Sequence, residues 1–176
     1  FDADIGDWDV SKVTDMSYMF ITPTHADVFD ADIGDWDVSS VTNMGFMFGF
    51  VTTFNQTISA WDVSKVTNMA VTFYAAAAFN APIGDWDVSS VTSMRGMFES
   101  ASTFNADIGG WDTSKGEDMS VMFYDASAFN DDIGAWNVSS VTDMASMFDG
   151  ADAFHQCLPW HEDFGAPLYC GFTDNA

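Results

Sequence analysis

Ile33-Gly-Asp-Trp-Asp-Val-Ser-Ser-Val-Thr-Asn-Met44, followed by Met47-Phe48, decides the fold, because the chain repeats this pattern almost from end to end. Its copies open at Phe1, Phe29, Phe54, Phe79, Phe104 and Phe129, with a partial seventh start at Phe154. The starts lie 28 residues apart once and 25 thereafter. A period of this size predicts a repeat solenoid, in which no unit buries its apolar face alone and stacking supplies the core.

The columns this alignment creates explain the composition. All 11 Met fall into two columns, one from Met16 to Met144 and one from Met19 to Met147, the second interrupted by Thr72. Six of the 7 Trp form a third, from Trp8 to Trp136, and most Phe fall into two more. Residues so strictly aligned read as packing material rather than as a promiscuous Met-rich binding surface.

Within one unit, Trp36, Val38 and Val41 alternate with polar Asp37, Ser39 and Thr42. That pattern predicts a short half-buried strand after a turn at Gly34, bent where Ser39-Ser40 adds a residue. Met44, Met47, Phe48 and Val51 then fall at i, i+3, i+4 and i+7, the spacing of a helical face. The residue before that face is Asp15, Asn43, Asn68, Ser93, Asp118 or Asp143, each of an N-capping type. Each coil therefore reads as a short β-strand, stacked on its neighbours into a parallel sheet, a bend, and a short α or 3-10 segment on the other side. Six coils occupy 1–153, and an atypical C-terminal cap occupies 154–176. Thr113, Gly116 and Glu117 replace Val, Val and Thr in the fifth coil, which should weaken or bulge it.

The residues at 33–44, Met47-Phe48 and the next opening Phe54 resemble the bacterial surface-protein repeat of about twenty-six residues found in mycoplasma-type lipoproteins, related to the BspA-like leucine-rich repeats. The resemblance covers Phe1 to about Ala153. It implies a leucine-rich-repeat-like solenoid, a cell-surface or adhesion context and no catalytic residues.

Charge narrows the partners. A net charge of −23, with only 4 Lys and Arg, disfavours nucleic acid and anionic membranes by like-charge repulsion. No apolar run reaches the roughly eighteen residues of a membrane-spanning helix, and no signal peptide is visible. The chain opens mid-pattern without an initiator Met, which suggests a processed product or a piece of something longer. Direct membrane insertion is not expected.

Asp9, Asp37, Asp62, Asp87 and Asp112, continued by Asn137, should form a ladder beside a Thr column that includes Thr42, Thr67 and Thr92. These are the candidate binding residues. As a solvated surface, the ladder is relieved by Lys12, Lys65 and Lys115 and by the Ser that follows each Asp. As a row of oxygen ligands, it would suit Ca²⁺. Further acidic residues at the unit starts, Asp2, Asp4, Asp30 and Asp32, either solubilise the corners or hold a cation. A Thr ladder can also suggest ice binding, but Glu117 interrupts this one and a single Thr per coil falls short of paired ranks.

The only cysteines, Cys157 and Cys170, read as a disulfide stapling the cap. Zinc held by these two with His155 and His161 is the other reading, although their spacing matches no standard module. His25 sits in the insertion around Thr22-Pro23-Thr24 and reads as a loop residue. Two functions follow: a non-catalytic interaction or adhesion module contacting a protein or glycan, outside the cytoplasm, or a Ca²⁺-stabilised structural repeat. An enzyme is disfavoured, since all 3 His lie outside the regular coils.

Overall fold

The computed structural model describes residues 4–21 and 29–160. Its organising feature is how the backbone N–H groups from Met44 to Val51 are shared. Those of Met47, Gly49 and Val51 bond back to the carbonyls of Met44, Phe46 and Phe48, three residues earlier, at 3.1, 3.3 and 3.1 Å. Those of Met44, Phe46, Phe48 and Phe50 cross to the next repeat, donating to the carbonyls of Asn68, Ala70, Thr72 and Tyr74 at 2.9, 3.0, 2.9 and 2.7 Å. The segment is thus a run of linked turns. The arrangement places Phe46 and Phe50 at φ +60° and +64°, and the left-handed position recurs at Val71 and Ala75, Gly96 and Ser100, Val121 and Asp125, and Ser146 and Gly150.

The expected leucine-rich-repeat-like arrangement of stacked strands with short α or 3-10 segments is therefore incorrect. Among the described residues there is no helix and no extended strand. A right-handed helix needs negative φ throughout and sends each N–H to the fourth residue back, and this segment does neither. The Trp36–Val41 stretch is not a strand either. Turns close from Ile33 C=O to Trp36 N–H at 3.2 Å and from Val38 C=O to Val41 N–H at 2.8 Å. What remains of β pairing is a single parallel bridge at each junction, linking Asp15, Asn43, Asn68, Ser93, Asp118 and Asp143 in order. These are the residues expected to cap helices. The carboxylate or amide oxygen of Asp15, Asn43, Asn68, Asp118 and Asp143 does accept the N–H two residues on, but turns follow.

The repeats stack in register, and the columns meet. Phe48 lies on Phe73 and Phe73 on Phe98, with ring centroids 5.5 and 5.7 Å apart and planes within 2°. Each of these rings also packs on the Phe that opens the following repeat, as Phe73 does on Phe79 at 3.8 Å. Trp61 stacks on Trp86 at 6.4 Å. Every indole from Trp36 to Trp136 donates its N–H to the Ile carbonyl of the repeat before it, at 3.0–3.1 Å. Each Trp is therefore apolar filling and a cross-repeat tie at once. The Met columns are buried from Met44 to Met147, and Met19 alone among them is exposed. Thr72, buried in the Met column, satisfies its hydroxyl on the carbonyls of Met44 and Met69.

The fifth repeat neither bulges nor loses a junction bond. Gly116 N–H bonds Thr113 C=O at 2.9 Å and Glu117 N–H bonds Thr92 C=O at 2.8 Å, as their counterparts do elsewhere. A Cβ on Gly116 would lie 2.6 Å from the Met119 methyl, so that side chain occupies the space a Val would fill. Thr113 is buried and donates to Asn137 C=O. The seventh repeat stays in register as far as the structure describes it. Phe154 stacks on Phe129 at 5.7 Å. The Trp160 indole reaches Ile133 C=O at 3.4 Å, although the Leu158–Trp160 segment is one residue shorter than Ile133–Trp136. The stack therefore continues past Pro159 to Trp160. The rest of the expected cap, with His161, Pro167 and Cys170, lies outside the described residues, as do Asp2 and the insertion carrying His25.

Candidate functional site

Three polar or aromatic rows run along the stack. The first is the expected Asp ladder. Asp9, Asp37, Asp62, Asp87 and Asp112 are exposed, and each uses one carboxylate oxygen to accept the N–H of the Ser two residues on, at 3.0–3.1 Å. Asn137 continues the row with the same bond to Ser139. The Ser11 and Ser64 hydroxyls add a second bond at 2.6 Å. These bonds hold Asp9, Asp37, Asp62 and Asp112 below the ordinary carboxylate range, the Ser side-chain bond contributing most. For Asp37 they outweigh repulsion from Asp62 and Asp9. The attraction of Lys65 for Asp62 and of Lys115 for Asp112 is the smaller contribution. At these four residues serine, more than lysine, favours the charged carboxylate.

The adjoining Thr column is committed to the stack. The hydroxyls of Thr42, Thr67, Thr92 and Thr142 donate to the carbonyls of Thr14, Thr42, Thr67 and Glu117, at 3.0–3.2 Å. A partner on this side meets carboxylate oxygens and hydroxyl lone pairs, a surface that accepts hydrogen bonds. The corner carboxylates are similar. Asp4, Asp32 and Asp132 each accept the N–H of the Gly two residues on. Among the described residues, no group of three or more His, Cys, Asp or Glu is placed to hold a metal ion. His155 is exposed, with ring nitrogens near Ala153 C=O and the Asn130 amide.

The second row was not foreseen. The side-chain oxygens of Asn55, Asn80, Asn105 and Asn130 accept the N–H of Asn80, Asn105, Asn130 and His155, one repeat on, at 2.7–3.0 Å. Its sequence signal was present: Asn follows the opening Phe in four successive repeats. The nearby glycines have a packing reason as well, since a Cβ on Gly84 would lie 2.5 Å from Asp107 C=O. A shallow, open groove of about 540 Å³ crosses this edge between Ser59, Asn80, Pro82, Asp85 and Asp107.

The third row lies on the run of linked turns. Here Tyr18, Phe46, Phe50 and Tyr74 gather into a half-exposed aromatic cluster, with Tyr18 at 62% exposure. Unlike the parallel core rings, several of these meet at steep angles: Tyr18 on Phe46 at 58°, and Phe50 on Tyr74 at 87°. Tyr18 and Phe46 occupy a left-handed position that carries Gly96 and Ser146 in later repeats. Farther along, Glu99 stands where Tyr74 does. Burial pushes its carboxyl up, Arg95 opposes this, and Asp125 adds to it.

A family model described as "Mycoplasma protein of unknown function, DUF285" matches residues 1–69 and 49–160, so the chain belongs to that mycoplasma-type repeat family. No curated protein and no solved structure matches it.

Proposed function

We propose that this family member is a non-catalytic interaction or adhesion module, displayed at a cell surface or built into a larger extracellular assembly. It binds a protein or glycan surface. The single observation that carries the reading is the aromatic cluster on the turns. Rings at Tyr18, Phe46 and Tyr74 remain part-exposed, where the first two positions continue as Val71, Gly96, Val121 and Ser146 and the third as Glu99, Tyr124 and Asp149. A left-handed backbone costs roughly 1–2 kcal/mol for a residue with a Cβ. Half-exposed rings recover little of that by burial, and exposed aromatics are a common means of recognition. The Asp ladder supplies a second, hydrogen-bond-accepting surface for cationic or hydroxyl-bearing groups. The finer kinship with BspA-like repeats belongs to the same reading, as does a Cys157–Cys170 disulfide suited to an oxidising compartment.

The experiment is to probe the immobilised chain with a glycan array and a library of basic peptides. Wild type is compared with a Tyr18→Ser/Phe46→Gly variant and with an Asp37→Asn/Asp62→Asn/Asp87→Asn variant. Ligands lost in the first variant and kept in the second support recognition on the turns. The reverse pattern moves the contact to the Asp ladder. Retention of no glycan or peptide by wild type sinks the reading.

A further inference from the structure

The groove on the Asn edge lies where three successive repeats break their own pattern. Ser59 stands in a column that holds Gly in the other five complete repeats. Pro82 is the one Pro in a column of Asp and Thr, and Gly110 the one Gly in a column of Asp and Ala. All three line the groove. A Cβ on Gly34, Gly84 or Gly109 would lie 2.3–2.7 Å from a carbonyl of the next repeat, and Ser59 carries a side chain at that very position. At Gly110 a Cβ would meet nothing within 4 Å, so the missing side chain leaves open space. The groove is therefore written into particular side chains rather than into the repeat.

Its walls carry hydrogen-bonding groups that the stack does not use. Asn80 is fixed on both sides: its N–H bonds Asn55 Oδ1 and its own Oδ1 accepts Asn105 N–H, each at 2.8 Å. That pins the amide and leaves Nδ2 as a pre-oriented donor. Asp107 stands in the column of Asp4, Asp32 and Asp132, whose carboxylates accept the N–H of the Gly two residues on. Asp107 makes no such bond. Among the described residues, the carboxylates of Asp85 and Asp107, the Ser59 hydroxyl and the Asn80 Nδ2 have no partner. Pro82 and Ala106 add apolar surface beside them.

We infer that this groove is a binding site for a neutral saccharide. The lining selects the class. A hydroxyl both donates and accepts, so neighbouring hydroxyls of one sugar satisfy the two carboxylates and the fixed amide together. Cations, whether a metal ion or an arginine side chain, leave the Asn80 donor unmatched, and an apolar ligand strands both carboxylates. The C–H face of a pyranose ring suits Pro82 and Ala106. At about 540 Å³ the groove falls within the roughly 300–1,000 Å³ of small-ligand sites. It shares no residue with the aromatic cluster or the Asp ladder, so it does not rest on the reading given above.

The full ¹⁵N-labelled chain is titrated with the methyl glycosides of glucose, galactose, mannose and N-acetylglucosamine, and with N-acetylarginine amide as the cationic rival. The expected result, with at least one glycoside, is a saturable shift of the Asn80 side-chain amide and of the backbone amides of Gly84, Asp85, Asp107 and Gly110. Added salt should not weaken it, because a neutral ligand is not screened. Asp107→Ala should weaken binding roughly tenfold, the effect of losing a hydrogen bond to a charged group. Gly110→Asp restores the residue of the first, second and fourth repeats in open space, and should abolish binding without unfolding the chain. Asp152→Asn, at an exposed position outside the groove, should bind as wild type does. Shifts kept in the Tyr18→Ser/Phe46→Gly variant place the sugar in the groove, whereas shifts lost there move it to the aromatic cluster and overturn the assignment. Shifts with no glycoside, shifts that survive Gly110→Asp, or tighter binding of the arginine amide than of every glycoside overturn it as well.

Discussion

Trp86 shows how one residue serves two purposes in this chain. It is buried, stacks on Trp61 and ties its repeat to the previous one through Ile58 C=O at 3.0 Å. Trp86→Phe keeps most of the apolar volume but leaves that buried carbonyl without its donor, at a cost of about 1–3 kcal/mol. Trp86→Ala adds a cavity and should cost about 3–5 kcal/mol. Chemical denaturation of the two variants checks the order, and a Trp86→Phe variant as stable as wild type would show that the indole bond contributes nothing. Ala75 gives an opposite expectation. With φ at +54°, it sits where an L side chain is disfavoured, so Ala75→Gly should stabilise the chain by roughly 0.5–1 kcal/mol. In ordinary backbone the same change destabilises, and a lower melting temperature would count against the left-handed turn.

At the scale of the element, the run of turns accounts for what the sequence hid. The repeat, its columns and their burial were legible because Trp, Phe and Met recur at fixed spacing and must all face inward. The turns were not, because Met44, Met47, Phe48 and Val51 face inward equally well from linked turns and from a helix. Glycine, the residue that advertises a left-handed backbone, appears there only at Gly96 and Gly150, while Phe46, Val71 and Val121 conceal it. The Asp and Thr columns were correctly seen as rows. That each is spent partly on internal bonds, to the Ser N–H or to a carbonyl across the junction, depends on geometry that spacing alone does not reveal. The Asn row was passed over because its role is to accept a neighbour's N–H, which only stacking makes apparent.

The Asp ladder also fixes a pH response at this scale. Asp9, Asp37, Asp62 and Asp112 have folded values below the unfolded one of 3.8, so their stabilisation is present above that pH and is lost as pH falls through the lowered folded values. Asp37→Asn keeps an oxygen for Ser39 N–H, as Asn137 does for Ser139, and should fold as stably near neutral pH while losing this acid sensitivity. Asp37→Ala removes the acceptor and should be less stable at pH 7. Melting curves from pH 2 to 7 separate the two. Glu99 has the opposite sign, because its folded value is raised and stability falls as pH rises through it. Glu99→Gln should therefore raise the melting temperature at pH 7, and the gap should close as acid protonates the wild-type carboxyl.

At the scale of the whole molecule, the central claim is that the described repeats are joined by backbone bonds from one run of turns to the next, with neither helices nor a sheet among the described residues. Hydrogen-bond scalar couplings between backbone amide nitrogens and carbonyl carbons, measured by NMR on the labelled chain, test it most directly. The account predicts couplings from Met44 to Asn68, Phe48 to Thr72, Phe73 to Met97 and Phe98 to Met122, each spanning one repeat. Couplings from these amides to carbonyls four residues back would mean that the segment is helical, and would contradict the account.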